Sequence, residues 1–218
     1  MDESRKNNNR LVLLMIAGIP LTMILMASWL WYFVVRGDLD LVGMLGTANR
    51  GTLVEPPRQL DDVDLFEQTG APIRYADLER RWTMLVPQGA GGCDEACEER
   101  LYLTRQIHIA MGKEFNRLRR LFVSEEPVAD IALAVTELSD DRPAPPDFAR
   151  LLADQHRGLK ALRLETGAYE RLFVEHAADP TTWYLVDPAG WIMMSYNGEV
   201  SYKDVIADLK FLLKNSSE

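Results

Sequence analysis

Arg81-Trp-Thr-Met-Leu-Val-Pro-Gln-Gly-Ala-Gly-Gly-Cys93-Asp-Glu-Ala-Cys97-Glu-Glu-Arg100 is the stretch on which the reading of this chain turns. Arg81 to Val86 is a short, nearly continuous apolar run of the kind that fills a buried strand. Three glycines follow within four residues, and helix formers then run from Asp94 to Met111 with apolar positions at Leu101, Ile107 and Met111. A strand therefore feeds a helix through a flexible loop that carries both cysteines of the chain. A thiol at a helix N-terminus meets free backbone N–H groups and the positive end of the helix dipole, which favour its thiolate. Asp94, Glu95, Glu98 and Glu99 act in the opposite sense. Spacing of four puts both sulfurs on one face of a helical turn, where they can close a disulfide or grip a soft ion such as Cu(I). An inert bridge is the plainer alternative, but a loop this short stabilises little.

Working outward, the same alternation of elements continues. Arg119 to Val123 reads as a second strand and Leu159 to Leu164 as a third, with period two. Val128 to Leu138 fits either helix or strand, because Ile131, Leu133 and Val135 alternate while the alanines favour helix. Asp140 to Pro146 is a loop, and Phe148 to Leu159 carries helical spacing that Gly158 ends. Trp183 to Asp187 and Trp191 to Tyr196 flank Pro188-Ala189-Gly190, a hairpin signal. Val205, Ile206, Leu209, Leu212 and Leu213 share one face of a closing amphipathic helix. The pattern is α/β: a central mixed sheet flanked by helices, spanning residues 60–218.

Ahead of it, Leu11 to Val35 is a run of 25 residues without a charged side chain. At about 1.5 Å per residue it reaches roughly 37 Å, enough to cross a hydrocarbon core of about 30 Å. Trp29, Trp31 and Tyr32 sit at its end, where amphipathic rings prefer the membrane interface. The run is longer than a signal-peptide core and no small-residue cleavage site follows it. It is expected to be an uncleaved anchor, with residues 1–10 cytoplasmic and residues 36–59, rich in glycine and proline, a tether. Arg5, Lys6 and Arg10 precede the run, while Arg36 and Arg50 follow. The positive-inside rule then sends the domain outward, into the periplasm if the host has two membranes.

Composition narrows the function. The 218 residues carry 33 acidic and 24 basic side chains, a net charge of -9, which argues against nucleic acid as a partner. Two cysteines in all exclude a disulfide-stapled miniprotein and a four-cysteine zinc site. Of the three histidines, His108 lies eleven residues beyond Cys97 in the same helix, about 16 Å along its axis, too far to share a metal. His156, beside Arg157-Gly158, reads as a structural residue at a helix C-terminus. His176, in the loop before Trp183, faces the cysteine loop if the sheet is parallel at its centre, and is the candidate third ligand. Met84, Met193 and Met194 fall in or beside apolar strands and read as gap-fillers.

An N-terminal anchor, an exported α/β domain, Cys-x-x-x-Cys opening a helix and the late strand-turn Tyr184-Leu-Val-Asp-Pro-Ala-Gly190 together resemble the Sco/SenC proteins. Asp64-Leu-Phe-Glu-Gln-Thr-Gly-Ala-Pro-Ile-Arg-Tyr-Ala-Asp-Leu78 resembles the opening hairpin of thioredoxin-like and peroxiredoxin-like domains. The resemblance covers about residues 60–213. It implies a thioredoxin-like fold, copper held by Cys93 and Cys97, and a role in assembling cytochrome c oxidase. The implied partners are the inner membrane and oxidase subunits or other exported thiol proteins. Two departures stand out. Asp94 and Glu98 replace the prolines that follow the Sco cysteines, and the position of the Sco histidine falls on Asp179, three residues after His176. Pro180-Thr-Thr-Trp183 resembles the Pro-Thr-x-aromatic segment of thiol-disulfide oxidoreductases, which implies a cis proline opposite the thiols. Beside the Sco-like factor stand two alternatives, a thiol-disulfide oxidoreductase and a non-catalytic thioredoxin-fold subunit of a membrane complex. A peroxidase would need a Thr or Arg in the loop before Cys93, and none is there.

Overall fold

A computed structural model describes residues 3–35 and 49–216. They form two compact units, which divide at Ala48–Asn49. In the first, Glu3–Val35 is one helix, α1, with Pro20 inside it. Its stretch Leu14–Phe33 is long and apolar enough to cross a membrane. Residues 36–48, the first half of the expected tether, lie outside the described residues.

The second unit is built on an eight-stranded sheet of order β1-β8-β7-β4-β5-β6-β2-β3. Its strands are β1 (Thr52–Gln59), β2 (Leu65–Glu67), β3 (Pro72–Ile73), β4 (Trp82–Gln88), β5 (Leu118–Ser124), β6 (Leu159–Leu164), β7 (Trp183–Val186) and β8 (Trp191–Tyr196). The helices are α2 (Glu95–Ala110), α3 (Phe148–Gln155), α4 (Ala168–Leu172), α5 (Val174–Ala178) and α6 (Tyr202–Asn215). The centre, β4-β5-β6, is parallel, with Leu85 opposite Leu121 and Phe122 opposite Ala161. Parallel neighbours need crossovers, and α2 and α3 lie on the two connections. β7 runs antiparallel to β4, and the β7–β8 hairpin turns through Pro188-Ala189-Gly190 as the turn residues require.

The continuous apolar run of β4 follows from cover on both faces. Met84 and Val86 point into a core with Leu101 of α2, Phe148 of α3 and Leu209 of α6. Leu85 points to the other side, with Leu60, Tyr75, Leu121, Phe173 and Ile192. This is the period-two alternation of a strand buried between two layers. Met84 and Met194 are core gap-fillers, as their strand positions imply.

Three expectations change. Thr52–Gln59, assigned to the tether, is instead an edge strand that pairs antiparallel with β8. Pro56 and Pro57 hid it, but an edge strand tolerates proline where the ladder is interrupted, and the register breaks between Leu53 and Arg58. The folded unit thus begins near Asn49 and not at residue 60. The second change concerns Val128 to Leu138, which is neither helix nor strand beyond a short turn at Val128–Asp130. It is an extended covering segment, described below. The third concerns Pro180. The cis peptide bond among the described residues is Glu55–Pro56, so the Asp179–Pro180 bond is trans.

Candidate functional site

Cys93 and Cys97 form a disulfide at the C-terminal end of β4. Asp94 is the N-cap of α2, its side chain accepting the Cys97 N–H at 3.0 Å, which fixes Cys97 in the first turn. Cys93 stays just outside the helix. Both cysteines have 0% exposure. What covers them is the segment that precedes α3. There the Cys93 N–H donates to the Ala132 carbonyl at 2.7 Å, and the Ala134 N–H donates to the Cys93 carbonyl at 2.8 Å. The two chains thus form one parallel bridge, Cys93 with Leu133. Ile131 and Leu138 of the segment pack into the same core as the two sulfurs. Further along, the Ser139 N–H donates to Glu98 Oε2 at 3.0 Å, and the Ser139 hydroxyl donates to the same oxygen. Asp140 adds an ion pair to Arg105 at 3.5 Å. Gly92 is required at the crossing. Its φ is +87°, and a Cβ there would lie 2.8 Å from the Ala132 carbonyl oxygen.

Beside the covered disulfide lies a cleft of about 320 Å³ between the glycine loop and α4–α5. Gly89 to Gly92, Asp94, Arg100, Tyr169 and His176 line it. Arg100 is 3% exposed, and no carboxylate is within ion-pair distance of it among the described residues. Its Nε donates to the Ala96 carbonyl at 3.0 Å, and its Nη1 to the carbonyls of Pro87 at 2.8 Å and Thr182 at 3.4 Å. Nη1 also meets His176 Nε2. Burial pulls the guanidinium pKa down to about 10, against the opposing pull of nearby Tyr169, Asp94 and Asp179.

His176, on α5, therefore does come to the cysteine side, but both ring nitrogens are engaged. A guanidinium only donates, so Nε2 accepts from Arg100, and Nδ1 carries the proton and faces the Tyr169 hydroxyl. Burial and the Arg100 charge hold the imidazole pKa at about 3. Asp179 caps the end of α5 and accepts from the Thr181 N–H and hydroxyl at 2.9 and 2.7 Å, which holds its carboxyl below the usual range. Among the described residues no group of three His, Cys, Asp or Glu side chains is arranged to hold a metal. The reduced cysteines offer two sulfurs to a copper ion. His176 does not fit as the third donor, because a metal at Nε2 would have to displace a buried cation.

The other histidines are structural. His108 stacks on Phe115 at 3.8 Å and shares Nε2 with the Phe115 carbonyl. His156 is the C-cap of α3, buried, with Nδ1 3.3 Å from Arg120 Nη1. Burial and Arg120 depress its pKa to about 3.

Sequence reasoning missed Arg100, Tyr169, Glu98 and Ser139. Arg100 had a signal. Cys97, Leu101, Thr104 and His108 form the buried stripe of α2, and Arg100 interrupts it with a charge. Glu98 and Ser139 had none, because they lie 41 residues apart, and Tyr169 meets His176 across a break between two short helices that no local pattern announces.

A family model described as a transmembrane-like, thioredoxin-like, C-terminal domain matches residues 82–216. Among solved structures, yeast Sco1 is similar with a TM-score of 0.53 and 14% identity, over 79% of this chain and 99% of that one. Yeast Sco1 with copper bound gives 0.52 and 15%, over 79% and 97%. Copper-bound ScoI of Arabidopsis thaliana gives 0.50 and 12%, over 76% and 99%. No curated protein sequence matches the chain. The shared architecture is the thioredoxin-like one that the Sco/SenC resemblance implies. With most of its folded unit matched, the chain belongs to the family of transmembrane-like, thioredoxin-like C-terminal domains.

Proposed function

We propose that this protein is a membrane-tethered, Sco-like thiol-disulfide factor whose Cys93 and Cys97 cycle between disulfide and dithiol. The observation that carries the reading is the disulfide itself, seated where the central strand meets α2 and sealed by a segment held through a single bridge and a few side-chain bonds. Exchange needs the sulfurs uncovered. The covering segment pairs directly with Cys93, so lifting it frees Cys93 first, while Cys97 stays in the first turn of α2. Cys93 is then the sulfur that meets a partner. In the oxidising direction of the partner, a dithiol partner's thiolate attacks Cys93 Sγ and expels Cys97 as a thiolate. The partner's second thiol then displaces Cys93 and leaves with a disulfide. In the reverse direction Cys93 attacks a partner disulfide and Cys97 resolves it.

The apolar helix α1 supports a membrane anchor, and the basic residues at its N-terminal flank support an orientation with the domain on the exported side, the periplasm in a bacterium with two membranes. The resemblance in anchor, Cys-x-x-x-Cys and the Tyr184–Gly190 turn makes cytochrome c oxidase subunits, or other exported thiol proteins, the clients. Capture of Cu(I) by the reduced pair is the second reading. The two sulfurs on adjoining positions favour it, and with His176 engaged it rests on sulfur alone.

The test is a redox titration of the full chain in detergent, with the dithiol fraction read by mass-tagging. A reversible two-electron midpoint is expected, the dithiol-to-disulfide ratio changing tenfold per roughly 30 mV. A pair that stays oxidised until the domain unfolds would make it a structural cross-link.

A further inference from the structure

We infer that the cleft beside the disulfide is a carboxylate site, and that the small-molecule partner of Cys93–Cys97 is a thiol carrying a carboxylate. This rests on the thiol-disulfide reading and goes beyond it by naming a substrate class. Four observations converge on the cleft. First, Arg100 brings a full positive charge to its base, and its hydrogen bonds go only to neutral acceptors through Nε and Nη1. Nη2 makes no hydrogen bond among the described residues and is not sealed from solvent. Second, the N–H groups of Ala90, Gly91 and Gly92 have no acceptor among the described residues, with φ of +108° and +87° at the two glycines. Third, the Tyr169 hydroxyl accepts the His176 Nδ1 proton, so its own hydrogen is unspent, and the chain Arg100–His176–Tyr169 polarises it as a donor. Gly89 lets it approach, since a Cβ there would lie 3.1 Å from the Tyr169 oxygen. Fourth, Gln88 is 6% exposed and lines the same cleft. Its Nε2 donates to the Gly89 and Gly92 carbonyls and so fixes the loop that carries these N–H groups, while its Oε1 is sealed from the cleft.

Donors therefore gather at one cleft, and an anionic oxygen pair satisfies them. Asp94 and Asp179 offset part of the Arg100 charge, but neither makes a hydrogen bond or ion pair to it among the described residues, and each commits one oxygen elsewhere. Gly92 and Asp94, which flank Cys93 in the chain, line the cleft, so once the covering segment lifts Cys93 is the sulfur next to a ligand held here. The step balances as ordinary exchange. The thiolate of the ligand bonds to Cys93 Sγ, the Cys93–Cys97 bond breaks, and the electron pair leaves on Cys97, which takes a proton from water. A second ligand thiolate then releases the ligand as its own disulfide.

The test has two arms on the full chain in detergent. In the first, N-acetylglycine and its neutral amide are titrated into the oxidised protein and followed by amide chemical shifts. Saturable shifts at Ala90, Gly91, Gly92 and Tyr169 are expected with the acid, at least roughly tenfold stronger than with the amide, and weakened several-fold in Tyr169→Phe. Absent shifts, equal binding of acid and amide, or binding unchanged in both Tyr169→Phe and Arg100→Gln would overturn the site. In the second, reduction by N-acetylcysteine is compared with reduction by its methyl ester, each normalised to a small model disulfide. A preference for the acid that disappears in Tyr169→Phe is expected, and equal normalised rates would overturn the substrate class. Arg100→Gln removes three carbonyl contacts and can fail to fold, whereas Tyr169→Phe removes one hydroxyl. Binding without any exchange would sink the thiol-disulfide reading and leave the site. Exchange without binding would do the reverse.

Discussion

Replacing Ser139 with alanine should expose the disulfide without touching it. Ser139 gives Glu98 Oε2 two hydrogen bonds, one from its N–H at 3.0 Å and one from its hydroxyl, and Glu98 is 4% exposed. The substitution keeps the first and removes the second. A hydrogen bond to a carboxylate, partly buried here, is worth about 1.5 kcal/mol, while the half-exposed Asp140 pairs nearby contribute less than about 1 kcal/mol each. The hydroxyl is therefore the stronger of the two latches. Losing about 1.5 kcal/mol raises the population of the lifted segment roughly tenfold. If reclosing is faster than attack, the rate of disulfide reduction follows that population. The assay is reduction by dithiothreitol under native conditions, with hydrogen exchange at the Ala134 amide as a second reporter, since that N–H is bonded to the Cys93 carbonyl. Both should speed up about tenfold in Ser139→Ala. An unchanged reduction rate, with exchange at Ala134 also unchanged, would refute the idea that this segment gates the sulfurs.

Other outcomes follow from the same contacts. Gly92→Ala forces a Cβ to 2.8 Å from the Ala132 oxygen at a φ of +87°, and should cost about 1–3 kcal/mol, read as a lower denaturant midpoint. Replacing both cysteines by alanine removes a cross-link over a very short loop, so the fold should persist with stability lowered by about 2 kcal/mol or less, measured by urea unfolding. His156 and His176 are buried with pKa values held near 3, whereas unfolded histidines titrate near 6.5. Between about pH 6.5 and 3 the unfolded chain binds more protons, so stability falls as pH falls through that window. Each histidine contributes up to about 1.4 kcal/mol per pH unit, and a flat unfolding free energy between pH 6 and 4.5 would contradict their burial.

The cysteine segment carried most of the fold in its own residues. An apolar run, a glycine loop and a run of helix formers placed β4, the loop and α2, and the alternation in Leu159–Leu164 placed β6. The Pro188-Ala189-Gly190 turn placed the β7–β8 hairpin. What stayed hidden was set by partners remote in sequence. Ile131, Leu133 and Val135 alternate like a strand, yet one bridge to Cys93 is all the pairing they find, and no local pattern announces that they cover a disulfide. Thr52–Gln59 was hidden by two prolines that an edge strand accommodates. His176 was placed on the right side of the sheet, but its worth as a ligand depended on Arg100, whose burial only the packing of α2 against β4 reveals.

The most direct measurement is a trap of the exchange partner in native membranes. Full-length Cys97→Ser, expressed in its host and isolated after acid quenching of thiols, should carry a mixed disulfide through Cys93 that reductant releases. The adduct should vanish in the double cysteine-to-serine variant. A Cys97→Ser protein recovered only as free thiol, with an intact fold and an uncovered Cys93, would contradict thiol-disulfide exchange as the work of this domain.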